Sequence, residues 1–164
     1  MSRFVVMGVS GCGKSTIAEL FAERRGLRFL DGDSLHPQAN IDKMSRGEAL
    51  DDDDRWPWLD KVGARLSEEI DVIACSALKR VYRDRIAEAA PGVTFLFLDG
   101  SKEVLSERMG QRKGHFMPND LLDSQLATLE RPAEDERAIR VDIDRTPDEI
   151  VDLFLERLPD ASER

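Results

Sequence analysis

Nine consecutive residues near the start of the chain carry three glycines, a lysine and three hydroxyl side chains. Residues 8–16 read Gly-Val-Ser-Gly-Cys-Gly-Lys-Ser-Thr, fit the spacing G-x-x-x-x-G-K-[ST] and directly follow an apolar run at residues 4–7 that predicts a strand. Glycines let the backbone turn tightly, so that several N–H groups point at one anion, and a helix N-terminus adds positive charge. The pattern predicts a loop that binds the phosphates of a nucleotide.

Two residues of this loop have specific expected roles. Lys14 is expected to reach the β- and γ-phosphate oxygens as a catalytic cation, and Ser15 is expected to offer its hydroxyl to Mg²⁺. The other predicted nucleotide-binding residues of the loop are Gly8, Val9, Ser10, Gly11, Cys12, Gly13 and Thr16.

A pair of carboxylates, Asp31 and Asp33, flanks a glycine at the end of a second predicted strand, residues 27–30. Ligands of open α/β sheets bind at the carboxyl ends of the strands. Asp31 is therefore expected to help hold Mg²⁺ through water, and Asp33 to accept the proton of an attacking hydroxyl. The alternative is an ordinary Asp-Gly turn without a catalytic role.

The composition limits the classes of partner. The chain has 164 residues with 24 basic and 33 acidic side chains, a net charge of −9, which argues against nucleic acid or an anionic membrane and favours small molecules. Cys12 and Cys75 form no C-x-x-C pattern, so neither a disulfide framework nor a zinc site is expected. This cysteine usage predicts that the protein works in a reducing compartment. With no apolar run of signal-peptide or membrane-spanning length, we expect a cytoplasmic location.

Strand-like and helical segments alternate along the chain, which predicts one α/β domain over residues 1–164. The predicted strands are residues 4–7, 27–30, 71–76, 93–98 and 138–143, and the main predicted helices are residues 15–25, 40–46, 79–90, 101–111 and 121–129, with others around residue 59 and from residue 147. The acidic run at residues 51–54 predicts a solvated loop or a helix N-cap, and Trp56 and Trp58 are interpreted as packing residues.

Residues 112–118 form a basic, irregular segment that contains glycine and ends in proline. This composition is typical of a loop that closes over an anionic site, a lid, although an ordinary surface loop has the same features. Arg112 within the lid is the candidate for contacting the transferring phosphoryl group, and Arg108 on the preceding helix is the candidate for binding the nucleotide's base or phosphates.

Several segments after the phosphate loop are specific enough to compare with a known family. They are Gly32-Asp33-Ser34-Leu35-His36-Pro37, Asn40-Ile41, Lys43-Met44, residues 52–59, Cys75-Ser76-Ala77-Leu78-Lys79, Tyr82-Arg83-Asp84, Gly114-His115-Phe116 and residues 122–125. Together they resemble the bacterial gluconokinase family over nearly the whole chain. The resemblance implies a three-layer P-loop fold similar to that of shikimate kinase, with five parallel strands in the order 2-3-1-4-5, helices on both faces and a lid.

The same resemblance implies a reaction and its partners: transfer of the γ-phosphoryl group of ATP, with Mg²⁺, to the primary hydroxyl of D-gluconate, by a homodimer. A sugar acid needs a cation for its carboxylate and short polar groups for its hydroxyls. The candidate substrate residues are Asp33, His36, Asn40, Arg55, Ser76, Lys79, Arg83 and Gln125. By analogy with shikimate kinase, Arg55 is assigned to the carboxylate and Asp33 to the accepting hydroxyl. Arg131 stands where family members are expected to have an acidic or neutral residue.

Two alternatives remain at this point. A shikimate kinase or a nucleoside monophosphate kinase would share the loop, the fold and the lid, but the segments at His36-Pro37 and at residues 75–79 argue against it. A nucleotide-dependent switch of the GTPase type would need an N-K-x-D motif to read guanine, and the sequence contains none.

Overall fold

A parallel β-sheet forms the centre of the protein. The computed structural model describes residues 3–9, 12–48, 50–110 and 119–158. The strands in chain order are β1 Phe4–Met7, β2 Phe29–Asp31, β3 Val72–Ala74, β4 Thr94–Asp99 and β5 Ala138–Asp142. They pair in parallel in the order β2-β3-β1-β4-β5, which confirms the expected topology.

Helices cover both faces of this sheet. They are α1 Lys14–Arg25, α2 Gln38–Ser45, α3 Asp52–Glu68, α4 Arg80–Ala89, α5 Lys102–Gly110, α6 Asn119–Thr128 and α7 Pro147–Arg157, and a short 3₁₀ helix, Gly32–Leu35, follows β2. The predicted helices are present with bounds shifted by a few residues, whereas the 3₁₀ helix was not predicted. No helix in the described ranges is both long and apolar enough to span a bilayer.

The central strand β1 is buried on both faces and divides the core into two layers. Phe4 and Val6 pack in one layer with Phe21 of α1 and Phe154 of α7. On the opposite face, β1 packs against a layer built mainly from α3 and α4. A strand covered on both faces must be apolar throughout, which is why β1 reads as an unbroken apolar run.

The bounds of β2, β3, β4 and β5 differ from the predicted ones by one or two residues at an end, and the differences at β2 and β3 concern residues near the site. The sequence suggested that β2 ends at residue 30, but it pairs with β3 as far as Asp31, which lies opposite Ala74. The predicted third strand, residues 71–76, is longer than β3, which is Val72–Ala74, although Cys75 still donates its backbone N–H to the Val6 carbonyl at 3.0 Å. Asp31 is polar, so hydrophobic patterning did not include it in the strand, although its backbone pairs with β3.

The acidic run at residues 51–54 starts α3. The Asp51 side chain accepts a hydrogen bond from the Asp54 backbone N–H at 2.8 Å, and the Asp54 side chain accepts from the Asp51 N–H at 3.0 Å. This capping box satisfies two backbone donors and places negative charge at the positive end of the helix dipole. Trp58 is buried and donates its indole N–H to the Gly32 carbonyl at 2.8 Å, so α3 is fixed to the 3₁₀ helix after β2.

A buried ion pair fixes the loop between β3 and α4. The Arg83 guanidinium lies 2.6 Å from Glu136 and donates to the carbonyls of Ala77 at 2.9 Å and Leu78 at 3.2 Å. Ala77 has a φ of 44°, a left-handed conformation that costs energy for a residue with a Cβ. Because Arg83 binds the carbonyl of Ala77 itself and that of the next residue, it stabilises the strained backbone.

Removal of the anionic partner tests this assignment. We expect Glu136→Ala to lower the free energy of unfolding by about 3 kcal/mol, because a buried Arg83 charge is left unpaired. Asp135→Ala is the matched control, since Asp135 pairs with Arg80 at the surface and such pairs contribute about 1 kcal/mol or less. Urea denaturation measures the free energy of unfolding of both variants. Equal losses of this free energy in the two variants would contradict the stabilising role of the pair between Arg83 and Glu136.

Candidate active site

The phosphate loop connects the end of β1 to the start of α1. Gly8 has a φ of 150°, and a Cβ on it would lie 2.8 Å from the Cys12 sulfur and 2.9 Å from the Leu98 carbonyl oxygen. Only glycine fits there without displacing backbone. Gly13 caps α1 in the left-handed conformation with a φ of 87°. Ser10 and Gly11, two of the predicted nucleotide-binding residues, lie outside the described residues.

Three predicted residues meet where the phosphate loop enters α1. The Lys14 ammonium donates to the Val9 carbonyl at 3.2 Å and so lies across the loop. The Ser15 hydroxyl donates to Asp31 Oδ2 at 3.1 Å. Serine hydroxyl and carboxylate oxygens are ligands that Mg²⁺ prefers, and Mg²⁺ usually takes one or two protein oxygens together with phosphate oxygens and water. The pair formed by Ser15 and Asp31 fits such a site.

Asp31 also builds the turn that carries Asp33. Asp31 Oδ1 accepts the Asp33 backbone N–H at 3.0 Å and thereby caps the 3₁₀ helix. Gly32 permits this turn to lie against β3, since a Cβ there would lie 2.4 Å from the Ala74 carbonyl oxygen. No described residue donates a hydrogen bond to the Asp33 carboxylate, which is exposed. Its position is fixed through the backbone while its oxygens stay available.

His36 and Asn40 join this turn to α3. The His36 ring stacks on Trp58 with 4.1 Å between ring centroids and an interplanar angle of 16°. The Asn40 amide group lies 3.2 Å from His36 Nδ1 and donates to the Asp54 carbonyl at 2.9 Å. Burial lowers the pKa of His36, and the charge of Asp33 partly opposes this shift. Both residues were predicted to bind substrate, and these contacts position the turn.

A cluster of charges and a phenol lies between α3 and α4. Asp52 Oδ1 accepts the Tyr82 hydroxyl at 2.5 Å and the Lys79 ammonium at 3.3 Å. Arg55 donates to the Tyr82 oxygen at 2.9 Å and lies 4.0 Å from Asp52. The Tyr82 hydrogen bond, with Lys79 and Arg55 nearby, holds the pKa of Asp52 below its usual range, and the bond to Asp52 raises the pKa of Lys79. The cluster therefore keeps its charges at neutral pH.

This cluster lines a cavity of about 520 Å³. Its walls are residues of the segment before α3, the first turns of α3, the start of α4 and one face of α6: Leu50, Asp51, Asp52, Asp53, Arg55, Lys79, Ser124 and Thr128. Arg55 and Lys79 were predicted for the substrate, and the structure brings them together. Two neighbours of Gln125, Ser124 and Thr128, line the cavity, whereas Gln125 itself does not.

Electrostatic contacts connect the three parts of the site. The charges of Lys14 and Asp33 both act on the Cys75 thiol, whose pKa burial raises to about 12. The charges of Asp33 and Arg55 both act on His36. Lys14 and Asp33 are therefore both near Cys75, and Asp33 and Arg55 are both near His36. Ser76 belongs to the same junction, since its carbonyl accepts the Gly8 N–H at 3.3 Å.

The raised pKa of Cys75 argues against a nucleophilic thiol at the end of β3. A buried thiol with so high a pKa is almost entirely protonated at neutral pH and is therefore a poor nucleophile. Cys12 and Cys75 are both buried, and neither is in a disulfide.

Some predicted site residues have other positions. The assignment of Arg83 to the substrate is corrected, because its guanidinium is buried and bound to Glu136 and to backbone carbonyls. Arg108 belongs to α5, but its side chain lies outside the described part of the structure, as do Arg112 and the predicted lid. Sequence reasoning missed Asp52 and Tyr82, although Tyr82 follows Lys79 at the three-residue spacing of neighbours on a helix.

Arg131 occupies a separate place at the end of β4. Its guanidinium lies 2.5 Å from Asp99, and Arg140 of β5 approaches the same carboxylate at 2.5 Å. Asp99 is buried, so the two arginines compensate its charge where the segment after α6 lies against the sheet. The arginine at position 131 thus has a structural partner.

Comparison with known proteins identifies the family. A family model described as an AAA domain matches residues 4–132. A gluconokinase of Gluconobacter oxydans (strain 621H) is 47% identical over 153 residues, which cover 90% of this chain and 86% of the relative. The chain belongs to the gluconokinase family. The crystal structure of a gluconokinase from Sinorhizobium meliloti 1021 is 49% identical, with a TM-score of 0.86 and coverage of 96% of this chain and 98% of that one.

Membership of the gluconokinase family confirms the resemblance and makes the chain a P-loop kinase that uses a nucleotide. A shikimate kinase from Aquifex aeolicus vf5 has a TM-score of 0.63 at 18% identity, over 95% of this chain and 94% of that one. That likeness extends to the fold alone. The alternatives of a shikimate kinase and of a GTPase-type switch are therefore not supported in this gluconokinase-family chain.

The buried His36 predicts a specific pH dependence of stability. Because its folded pKa lies below the ordinary value of 6.5, the unfolded chain binds more protons as the pH falls below 6.5, and the folded state loses stability there. This loss cannot exceed about 1.4 kcal/mol per pH unit for one group.

His36→Phe keeps an aromatic ring against Trp58 and removes the titration. We expect the wild type to lose more unfolding free energy than His36→Phe when the pH is lowered from about 7.5 to about 5.5. Denaturation curves of both proteins at the two pH values measure the difference. The same pH dependence in both proteins would contradict the assignment.

Proposed function

We propose that this chain transfers the γ-phosphoryl group of ATP to the primary hydroxyl of D-gluconate, giving 6-phospho-D-gluconate and ADP. The observation that carries the proposal is the hydrogen bonding of Asp31, which accepts the Ser15 hydroxyl of the phosphate loop on one oxygen and the Asp33 backbone N–H on the other, while no described residue donates a hydrogen bond to the Asp33 carboxylate. A phosphoryl donor and a carboxylate-bearing acceptor then flank the same proton acceptor. The gluconokinases at 47% and 49% identity supply the substrate class.

The phosphate loop binds the donor. Lys14 exchanges its contact with the Val9 carbonyl for the β- and γ-phosphate oxygens, and the N-terminus of α1 faces the same charge. Ser15 and Asp31, whose oxygens lie 3.1 Å apart, are the residues that would hold Mg²⁺. When bound, Mg²⁺ neutralises charge on the phosphate oxygens. Asp31 keeps Ser15 oriented toward that position.

Asp33 acts on the acceptor. Its carboxylate accepts the proton of the primary hydroxyl while the oxygen attacks the phosphorus, a role that requires a group within hydrogen-bond reach and free of other donors. The Asp31 cap, the close packing of Gly32 on β3 and the His36 stack on Trp58 fix the backbone of this turn. A fixed acceptor lowers the entropy cost of reaching the transition state.

Arg55 and Lys79 bind the carboxylate of the sugar acid. Both cations line the 520 Å³ cavity, and both contact Tyr82 or Asp52 instead of being buried with a dedicated partner. Ser124 and Thr128 add hydroxyls from α6 for the polyol chain. The roles of Arg108 and Arg112, the lid at residues 112–118 and the homodimer remain predictions.

Measurement of ADP release with a panel of acceptors tests the function. D-gluconate, other sugar acids, shikimate and nucleoside monophosphates are compared at saturating ATP with Mg²⁺. We expect the highest kcat/KM for D-gluconate, and we expect Lys14→Ala, as the negative control, to abolish turnover because the transferring group loses its cation. A higher kcat/KM for shikimate or for a nucleoside monophosphate would overturn the proposal.

Asp33→Asn tests the assignment of the proton acceptor. We expect kcat to fall by at least about 100-fold while the KM for ATP changes little, because the amide cannot accept the proton and the phosphate loop is unchanged. Asp42→Asn is the matched control, since Asp42 lies on α2 and its carboxylate accepts a hydrogen bond only from Gln38, at 2.9 Å, among the described residues. A comparable loss of ATP affinity in Asp33→Asn would indicate a metal-binding role instead.

A further inference from the structure

The first residue of α3, Asp52, carries a carboxylate that the proposed phosphoryl transfer does not require. It lines the cavity together with Arg55 and Lys79, the two cations assigned to the substrate carboxylate. An anion at this point opposes the binding of another anion, and a kinase that only had to hold a carboxylate would bind it better without Asp52. The placement of Asp52 therefore calls for a contact with a different part of the substrate.

The two oxygens of this carboxylate have different surroundings. Oδ1 accepts hydrogen bonds from Tyr82 at 2.5 Å and from Lys79 at 3.3 Å, and Arg55 lies 4.0 Å from the same oxygen. No residue in the described ranges donates a hydrogen bond to Oδ2. The donors on Oδ1 fix the orientation of the carboxylate, so Oδ2 is a positioned acceptor beside the two cations.

The chemistry of Oδ2 defines the group that it would bind. An ionised carboxylate accepts hydrogen bonds and donates none, and Tyr82, Lys79 and Arg55 keep the pKa of Asp52 low. Its ligand must therefore be a donor such as a hydroxyl. Lys79 and Arg55 lie 3.3 and 4.0 Å from Oδ1. A substrate carboxylate bound by these two cations would bring the hydroxyl on the neighbouring carbon closer to Asp52 than the hydroxyls further along the chain.

We propose that Asp52 is a specificity-determining residue that selects acids with a hydroxyl on the carbon next to the carboxylate. The proposal rests on the proposed function. Arg55 and Lys79 bind the carboxylate, and Asp52 Oδ2 accepts the hydrogen bond of the 2-hydroxyl. An acid without that hydroxyl places its own carboxylate beside the charge of Asp52 and donates no hydrogen bond to Oδ2. It therefore binds more weakly in both the ground state and the transition state.

A comparison of two acids isolates this contact. We measure kcat/KM of the wild type and of Asp52→Ala with D-gluconate and with 2-deoxy-D-gluconate, which lacks only the 2-hydroxyl. The wild type is expected to prefer D-gluconate by about 10- to 100-fold, the range for a hydrogen bond to a charged group. Asp52→Ala is expected to reduce this preference to about two-fold or less. Any change in carboxylate binding affects both acids and cancels in the ratio.

Asp53→Asn is the matched charge control. Asp53 is the next residue of the same helix turn, so its substitution removes one negative charge from the cavity wall and leaves the contacts of Asp52 intact. We expect it to shift kcat/KM of both acids by the same factor. Folding of the Asp52 variant is checked by its melting temperature, and the helix start does not depend on Asp52, because Asp51 and Asp54 form the capping box.

The possible outcomes separate this inference from the proposed function. If the wild type phosphorylates D-gluconate and Asp52→Ala loses activity on both acids by the same factor, Asp52 only orients Arg55 and Lys79, and the inference is overturned alone. If the wild type does not phosphorylate D-gluconate, the proposed function fails and the inference fails with it. A preference that collapses in Asp52→Ala and persists in Asp53→Asn supports the inference.

Discussion

The Asp31 carboxylate joins the two halves of the candidate active site. One oxygen accepts the Ser15 hydroxyl of the phosphate loop, and the other accepts the Asp33 backbone N–H of the following turn. Since Asp31 is also the last residue of β2, its position is fixed by the pairing of β2 with β3. A single side chain at a strand end thus sets the distance between the phosphate loop and the proposed proton acceptor, and the rest of the site is arranged around that distance.

The cluster of charges between α3 and α4 illustrates a second constraint. Arg55 and Lys79 would repel each other in an unoccupied cavity, and an unpaired charge beside a partly buried wall is costly. Tyr82 and Asp52 compensate both cations before any substrate is present, and this keeps the cavity in one arrangement. The substrate carboxylate then meets cations whose positions are already fixed. Preorganisation of this kind reduces the entropy cost of binding.

The phosphate loop was predictable from the sequence because one contiguous segment contains it, whereas the roles of its residues stay predictions. The strand order and the substrate class came from the family resemblance, since no local pattern encodes which strands are neighbours. Arg83 was assigned wrongly because its buried partner, Glu136, lies 53 residues further along the chain. Asp52 was missed for a related reason, since its partners Lys79 and Tyr82 lie at the start of α4, far along the chain. An acidic run alone resembles an ordinary helix start.

The ion pair between Arg83 and Glu136 has a consequence for the order of folding during synthesis. The phosphate loop, β2 and the Asp33 turn leave the ribosome before β4 and Glu136 do. The turn at Ala77, however, is held by a residue that emerges much later, and β1 needs β4 as a second neighbour to become the centre of the sheet. Non-local contacts of this kind form late because loop closure costs entropy. A nascent chain therefore exposes an incomplete sheet edge at β1 until β4 has been made, and this interval is when it depends most on protection from aggregation.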